Sequence, residues 1–189
     1  MVYGNGYLFA QDDELLELLH ESGCAQVLIG FESPTSSGLN GLERTSNWKA
    51  RQVKKNLAAI KKIQSYGITV NGCFILGLDG TDTTSFQEVL DFVKKSGLYE
   101  VQVTIQTPFP GTPLYNRLKS TGRLIDDEAW ESCTLFDINF IPDNMTVQQL
   151  EEGFKWLVTE LYSEPFTTWR RKTFLKNFRF ARKTRVTKG

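Results

Sequence analysis

The stretch that decides the fold is ITVNGCFILGLDGTDTTSFQEVLDFVKKSGLYEVQVTIQTPF, residues 68–109. It begins with an apolar run rich in β-forming residues. A segment with helical periodicity follows. Asp82 or Thr83 can cap this helix, and Gly97 can end it. The stretch finishes with a second run of β-formers. A strand, a helix and a strand joined in this way predict parallel β/α units, with helices on the faces of a parallel sheet.

The same alternation extends toward the N-terminus. DDELLELLHESG, residues 12–23, predicts a capped helix, and AQVLIGF, residues 25–31, predicts a buried parallel strand. After a polar loop, a long helix is expected from about 48 to 66. Before the first helix, only Val2 to Asn5 could form a strand, as the remnant of an earlier unit.

The pattern changes after Pro108. Prolines and glycines surround a short predicted helix, residues 114–120, and an apolar aromatic stretch follows at 130–141. A further amphipathic helix is expected from about Thr146 to Tyr162. This part of the chain therefore lacks the β/α repeat of the part before it.

Composition places the chain among ordinary soluble proteins. Of its 189 residues, 40% are hydrophobic and 23% charged, and no window has the roughly 18–20 apolar residues of a spanning helix. The first residues lack the features of a secretory signal, so a cytoplasmic location is the expectation. The charged residues from Pro165 onward are all basic. We interpret this tail as a solvated helix that frays, with its aromatics packed on the body as far as about Phe180; contact with nucleic acid or an anionic surface is the alternative.

The cysteines form no recognisable metal motif. Cys24, Cys73 and Cys133 lie far apart and outside any C-x-x-C or C-x-x-x-C-x-x-C arrangement. We therefore expect free thiols and no metal site, and His20 is expected at the surface.

Ligands of parallel β/α folds gather at the carboxyl ends of the strands, which selects Gly30–Ser33, Gly72–Gly80 and Gln106–Thr112. Glu32 directly follows an apolar strand and could accept two hydroxyl groups. Its alternatives are a helix cap or an ion pair with Arg44. Gly72 and Gly77 suggest the close approach of another backbone or of a flat ligand.

Several motifs in order carry a family resemblance. GCAQVLIGFESP, a loop with ERT, NGCFILGLDGT and TPFPGTPLY resemble the second half of a radical S-adenosylmethionine (SAM) barrel. Among such proteins the chain is most similar to the cobalamin-associated (B12-binding-type) subgroup. WESCTLFD, PDNMT and YSEPF resemble the C-terminal extension of some members, so the resemblance covers roughly residues 10–166.

The resemblance implies an α/β fold: parallel β/α units of a truncated, half TIM-like barrel in residues 1–125, and a mostly helical extension with a basic tail in 126–189. It further implies that Glu32 holds the SAM ribose hydroxyls and that Arg44 reaches the methionine carboxylate. Cofactor contacts are also expected from the fifth-strand residues and from the segment lining the adenine, namely Cys73, Ile75, Gln106, Thr107 and Pro108. Cys73 departs from the polar residue often found there. No catalytic residue is assigned.

The chain lacks two family motifs, one that binds the iron–sulfur cluster and one that binds SAM. It contains neither the C-x-x-x-C-x-x-C loop that ligates the [4Fe–4S] cluster nor the glycine-rich second-strand motif. SAM, the cluster and possible cobalamin are therefore expected as cofactors of a parent protein, in a radical modification such as methylation. This chain alone is expected to be inactive, and its start at Met1 suggests an expressed fragment or a truncated gene product.

Two other functions stay open. One is a non-catalytic module, in which a truncated barrel serves binding or assembly. The other is a TIM-barrel lyase or aldolase with Glu32 as base, although no Schiff-base lysine follows a strand and the chain is too short for eight units. The expected partners are the missing half of the barrel and an unknown small substrate. If Val2 to Asn5 leave the VLIGF edge unpaired, we expect a dimer or higher oligomer through that edge, or an edge covered by the C-terminal helices. Nucleic acid is not an expected partner.

Overall fold

The structure is a computed structural model that describes residues 2–3, 10–36, 38–39 and 48–186, with the backbone alone at 2–3, 48–54 and 184–186. Within these residues four strands form one sheet in the order β1-β2-β3-β4, and every neighbouring pair is parallel. The strands are β1 (Val2–Tyr3), β2 (Gln26–Glu32), β3 (Thr69–Leu76) and β4 (Glu100–Ile105). The predicted parallel sheet is confirmed.

Helices alternate with these strands and then follow them. They are α1 (Asp13–Glu21), α2 (Trp48–Ser65), α3 (Thr84–Ser96), α4 (Pro113–Ser120), α5 (Val147–Tyr162) and α6 (Glu164–Val186). Local signals explain their ends: the Asp12 carboxylate accepts from the Leu15 amide at 2.9 Å, and Gly97 ends α3 with φ 64°. Thr146 and Gln149 form a capping box at the start of α5. The predicted α/β fold with a helical C-terminal part is confirmed.

The two faces of the sheet differ sharply. Residues alternate along each strand, and one set is buried together with apolar side chains of α2, α3 and α5. We call this side the helix face; its strand residues include Val27, Ile29, Phe31, Val70, Phe74, Val101, Val103 and Ile105. The opposite set is half-buried or exposed. We call that side the open face; its strand residues are Leu28, Gly30, Glu32, Asn71, Cys73, Ile75, Gln102 and Thr104.

Core side chains, and not a ligand, pack directly against Gly72 and Gly77. A Cβ at Gly72 would lie 2.7 Å from Cδ1 of Leu98, and a Cβ at Gly77 would lie 2.8 Å from the Phe140 ring. Both glycines therefore permit close packing. The sequence-based suggestion of a flat ligand at these positions is wrong, since protein atoms fill the space.

The helix α5 takes the place that a helix after β4 has in a β/α repeat. Near its start Leu150 lies against Gly77 at the carboxyl end of β3, and at its end the Tyr162 hydroxyl donates to the Val101 carbonyl at 2.9 Å. It therefore runs antiparallel to the strands. The segment between β4 and α5 sits at the carboxyl ends of the strands, where Leu124 and Phe140 form an antiparallel bridge. The predicted boundary between residues 125 and 126 stays a prediction.

The VLIGF strand and the edge strand β4 both have backbone partners. β1 pairs with β2 at Val27 and Leu28, so the condition for an unpaired edge does not hold at those two residues. On β4, the Ile105 amide donates to the Leu135 carbonyl at 2.7 Å, and Tyr162 binds the Val101 carbonyl. The expected association of two copies stays a prediction. No helix in the described part of the chain is long and apolar enough to cross a membrane.

Candidate functional site

Glu32 ends β2 in an unusual conformation. The register of β2 against β3 shifts between Gly30, which is opposite Cys73, and Glu32, which is opposite Phe74. The intervening Phe31 is buried on the helix face, where its ring lies 5.7 Å from that of Phe74. Glu32 has φ 63°, a left-handed conformation that costs a residue with a Cβ about 1 kcal/mol or more. Such strain persists where packing enforces it, and it is concentrated at functional sites.

The Glu32 carboxylate folds back over Gly30 on the open face. A Cβ built on Gly30 would lie 2.6 Å from Oε1 of Glu32, closer than two such atoms can approach. The carboxylate therefore occupies a position that an alanine at residue 30 would deny it. Gly30 and the bulge together set where this carboxylate lies.

Cys73 lies beside this carboxylate. Its thiol donates to Oε1 of Gln102 on the neighbouring strand at 3.5 Å. Burial, and then the negative charge of Glu32, raise the pKa of Cys73 to about 11. The thiol is therefore protonated at neutral pH, which favours a hydrogen-bonding role over a nucleophilic one.

The other residues predicted to contact the cofactor lie at the carboxyl ends of β3 and β4. Ile75 is opposite Thr104 on the open face. The Gln106 amide donates to the Leu76 carbonyl at 2.9 Å, which extends the ladder one residue past β4. Thr107 and Pro108 follow and are buried, with the Thr107 hydroxyl donating to the Ile105 carbonyl at 3.1 Å.

Two buried acceptors on this side of the sheet have no hydrogen-bond partner, Oδ1 of Asn71 and Oε1 of Gln106. Gln106 is only 7% exposed, so water reaches its side chain poorly. A buried polar atom without a partner costs about 1–3 kcal/mol. An amino or hydroxyl group of a ligand would satisfy the Gln106 carbonyl oxygen, and Gln106 continues the alternation of Gln102 and Thr104.

The structure therefore brings Glu32, Cys73 and Ile75 onto one face, with Gln106 at its end. Arg44 falls outside the described residues, so its predicted role stays a prediction. The sequence analysis missed Asn71, Gln102 and Thr104. Their signal was the alternation of polar and apolar residues in TVNGCFIL and EVQVTI, which indicates a face that none of the described helices covers.

A second polar cluster holds the loop after β3. Asp79 accepts hydrogen bonds from Arg117 and from Arg123, the latter at 2.9 Å, and Arg123 Nε donates to the Ile141 carbonyl at 2.7 Å. Burial alone would raise the pKa of Asp79, but the two arginines outweigh it and lower that pKa. The Gly80 amide also donates to Asp143 at 3.1 Å. These bonds tie the carboxyl end of β3 to the segment that follows β4.

The chemistry of the open face is that of recognition. It offers a carboxylate and amide oxygens as acceptors, and its thiol is protonated. Among the described residues, no group of three or more His, Cys, Asp or Glu side chains is placed to hold a metal ion. The face can therefore bind a ligand rich in hydroxyl and amino groups, such as a nucleoside.

Comparison with known proteins places this arrangement in a family. Residues 112–189 match a family described as a domain of unknown function, DUF4070. The chain is 30% identical over 154 residues to bacteriochlorophyllide d C-12(1)-methyltransferase of Chlorobaculum tepidum, covering 82% of this chain and 32% of that protein. It is 34% identical over 124 residues to hopanoid C-2 methylase of Rhodopseudomonas palustris, covering 65% of this chain and 23% of that protein.

A third relative has a different activity. The anaerobic magnesium-protoporphyrin IX monomethyl ester cyclase of Rubrivivax gelatinosus is 21% identical over 168 residues, covering 89% of this chain and 27% of that protein. The chain thus spans a third or less of the length of these curated relatives. Fold, motifs and relatives agree on the class: the chain belongs to the radical SAM superfamily. Within that superfamily it falls in the cobalamin-associated subgroup, as the predicted resemblance indicated.

Proposed function

We propose that this chain supplies the nucleoside-binding side of the SAM site in a radical SAM methyltransferase. The observation that carries the proposal is the Glu32 carboxylate, held over Gly30 at the carboxyl end of β2 on a polar, open face. Two neighbouring hydroxyl groups, as on a ribose, match the two oxygens of a carboxylate.

The other residues of the face fit the same ligand. Ile75 offers an apolar contact for a purine, and the unpartnered Gln106 oxygen can accept from an amino group. SAM, when bound, would supply a methyl group or a radical to the reaction. The roles of this chain are to hold the ribose at Glu32 and to shield the purine at residues 106–108.

Methylation is the proposed reaction of the whole protein, because the relatives include methyltransferases of a bacteriochlorophyllide and of a hopanoid. Cobalamin is a proposed further cofactor, since the chain falls in the cobalamin-associated subgroup. The substrate of this protein is not assigned.

The iron–sulfur cluster does not fit the residues of this chain. Cys24, Cys73 and Cys133 are separated by at least 49 positions and lie in no C-x-x-x-C-x-x-C loop. We therefore propose that the 189 residues bind SAM weakly and do not cleave it by themselves.

Calorimetry of SAM binding tests the proposal, with Glu32→Gln beside the unchanged chain. We expect weak binding that falls about 10- to 100-fold in the variant, because bonds to a charged acceptor contribute about 1.5–3 kcal/mol. Glu14→Gln, an exposed acid of α1, is the control and should bind normally. Equal binding by Glu32→Gln and the unchanged chain would refute the assignment of Glu32. Formation of 5′-deoxyadenosine by this chain under reducing conditions would refute its inactivity.

A further inference from the structure

The outer surface of α6 combines basic and apolar side chains on one side of the helix. A groove of about 380 Å³ is lined by six residues at spacings of three and four, namely Lys172, Leu175, Lys176, Arg179, Phe180 and Lys183. Such spacing places side chains on one helical face. We call it the basic face of α6; it lies apart from the open face of the sheet.

The opposite side of α6 fixes this orientation. Phe174 is buried, with its ring 5.1 Å from that of Tyr99, and the Phe178 ring would lie 2.8 Å from a Cβ on Gly67. The predicted packing of these two aromatics is confirmed, but Trp169 and Phe180 do not share it, being 40% and 74% exposed. The helix also continues to Val186 and does not fray after Phe180. Because α6 is held by its apolar side, the basic face points outward.

Three cations of this face have no acidic partner among the residues that the structure describes. Nine of the 22 basic residues lie after Pro165, whereas all 22 acidic residues precede it. Within the described residues, α6 forms an ion pair at Arg171, 3.6 Å from Glu100. Lys172, Lys176 and Arg179 form no ion pair or hydrogen bond with another described residue. The face therefore carries cations that an external anion can neutralise.

Large apolar side chains lie among these cations. Phe180 and Leu175, at 74% and 46% exposure, flank the basic stripe. Trp169 is also exposed, about three helical turns before Phe180, where its ring stacks on that of Phe166. Phosphate groups of a nucleic acid would engage the cations but would leave a leucine in water. A lipid headgroup region accepts both kinds of side chain, because basic residues meet the phosphates while aromatic and aliphatic groups enter the upper acyl region.

We propose that the basic face of α6 docks on the surface of an anionic lipid bilayer. Lys172, Lys176 and Arg179 lie over the headgroup phosphates, and Phe180 and Leu175 insert beneath them. This surface holds the chain at the membrane through charge and shallow insertion.

The test is co-sedimentation of the 189-residue chain with phosphatidylcholine vesicles that contain or lack phosphatidylglycerol. We expect binding to the anionic vesicles and its decline as salt is added. The variant K172Q/K176Q/R179Q should bind about 100-fold more weakly, because each basic residue near an anionic surface contributes about fivefold. Phe180→Ser should bind about tenfold more weakly, since an inserted apolar group is lost.

A matched control separates this face from net charge. K61Q/K94Q/K95Q removes the same charge from exposed positions of α2 and α3 and should bind as the unchanged chain does. Circular dichroism confirms that each variant is folded. Equal weakening by both triple variants, or no binding to anionic vesicles, would overturn the proposal. So would binding of a labelled DNA duplex through the same three cations, with no effect of Phe180→Ser in either assay, since the ligand would then be nucleic acid.

Discussion

The carboxylate of Glu32 fills the space that a side chain on Gly30 would take: Oε1 lies 2.6 Å from the position of a Cβ on that glycine. The position of this carboxylate therefore depends on the absence of a side chain at residue 30. Because Oε1 is the end of a flexible side chain, an alanine at residue 30 would displace the carboxylate at little cost in stability.

Gly30→Ala should weaken SAM binding to the same extent as Glu32→Gln while leaving the fold intact. The free energy of unfolding should change by less than about 1 kcal/mol, since Gly30 has an ordinary negative φ. Calorimetry with SAM and urea denaturation measure the two quantities. Unchanged SAM binding in this variant would show that the affinity for SAM does not depend on the position of the Glu32 carboxylate.

Gly72→Ala provides the opposite behaviour at a residue that directly precedes Cys73 but faces the core. Its Cβ would lie 2.7 Å from Cδ1 of Leu98 and 3.1 Å from the Phe31 ring, both within the core. We expect a loss of about 1–3 kcal/mol in the free energy of unfolding, as overpacking costs in a tight core. A urea midpoint equal to that of the unchanged chain would contradict this close packing.

The Cys73 thiol should react slowly and in a way that Glu32 controls. With a pKa of about 11, its thiolate fraction at pH 8 is about 100-fold below that of a thiol with the ordinary value of 9.0. Alkylation by iodoacetamide, followed by mass spectrometry of each cysteine peptide, measures this. Glu32→Gln should accelerate the reaction of Cys73, because a negative charge that raises the pKa is removed.

The raised pKa of Cys73 also predicts how the stability of the fold depends on pH. A thiol whose pKa is raised on folding stabilises the fold below pH 9, and this contribution is lost as the pH rises through about 11. Cys73→Ser should therefore lose less stability than the unchanged chain between pH 9 and 11. Parallel curves for the two proteins would contradict the raised pKa.

Much of the fold could be predicted from local signals. Asp12 and Gly97 marked helix ends by their chemistry, and the apolar runs marked β2, β3 and β4. These features depend on neighbours in sequence, so a single chain reveals them. The predicted position of Glu32 at the end of a strand is likewise confirmed. It could be predicted because a charged residue directly after an apolar run is typical of the end of a buried strand.

The rest depended on tertiary contacts. Gly72 packs against Leu98, and Gly77 packs against Phe140. These residues are far apart in sequence and meet only in the folded chain. A glycine in a strand sequence does not reveal whether a ligand or a side chain will pack against it. The open face was not predicted, because short apolar runs indicate strands buried on both sides; the polar Gln102 and Thr104 within such a run are the signal of an open face. Arg170 is fully buried despite lying in a basic tail, which its sequence context gives no reason to expect.

The Asp79 cluster should make stability depend on acid pH. Since its pKa is lowered on folding, Asp79 stabilises the fold above its ordinary value of 3.8, and this is lost as the pH falls through the lowered value. Asp79→Asn should cost roughly 1–2 kcal/mol at pH 7, allowing for the partial exposure of Arg117. The difference from the unchanged chain should shrink below pH 3.8. Asp91→Asn on α3 is the matched control and should leave the acid limb of the stability curve in place.

Arg170 tests whether a buried charge stabilises this fold. Its Nη2 donates to the Leu161 carbonyl at 3.1 Å and to the Thr167 hydroxyl at 3.3 Å, but Nε and Nη1 have no partner. Burial lowers the pKa of Arg170, as expected of a guanidinium taken out of water with two of its three nitrogens unpartnered. Arg170→Met keeps most of the volume and removes the charge, so it should be as stable as the unchanged chain or more so.

Arg170→Ala should instead lose about 2–5 kcal/mol, because it leaves a cavity beside Phe166. Urea denaturation of the two variants separates volume from charge. If the methionine variant lost as much as the alanine variant, attraction to Glu100 would outweigh the cost of burial, and the guanidinium would be a stabilising part of the helix α6 anchor. If it lost nothing, the apolar contacts of α6 alone would hold that helix against the sheet.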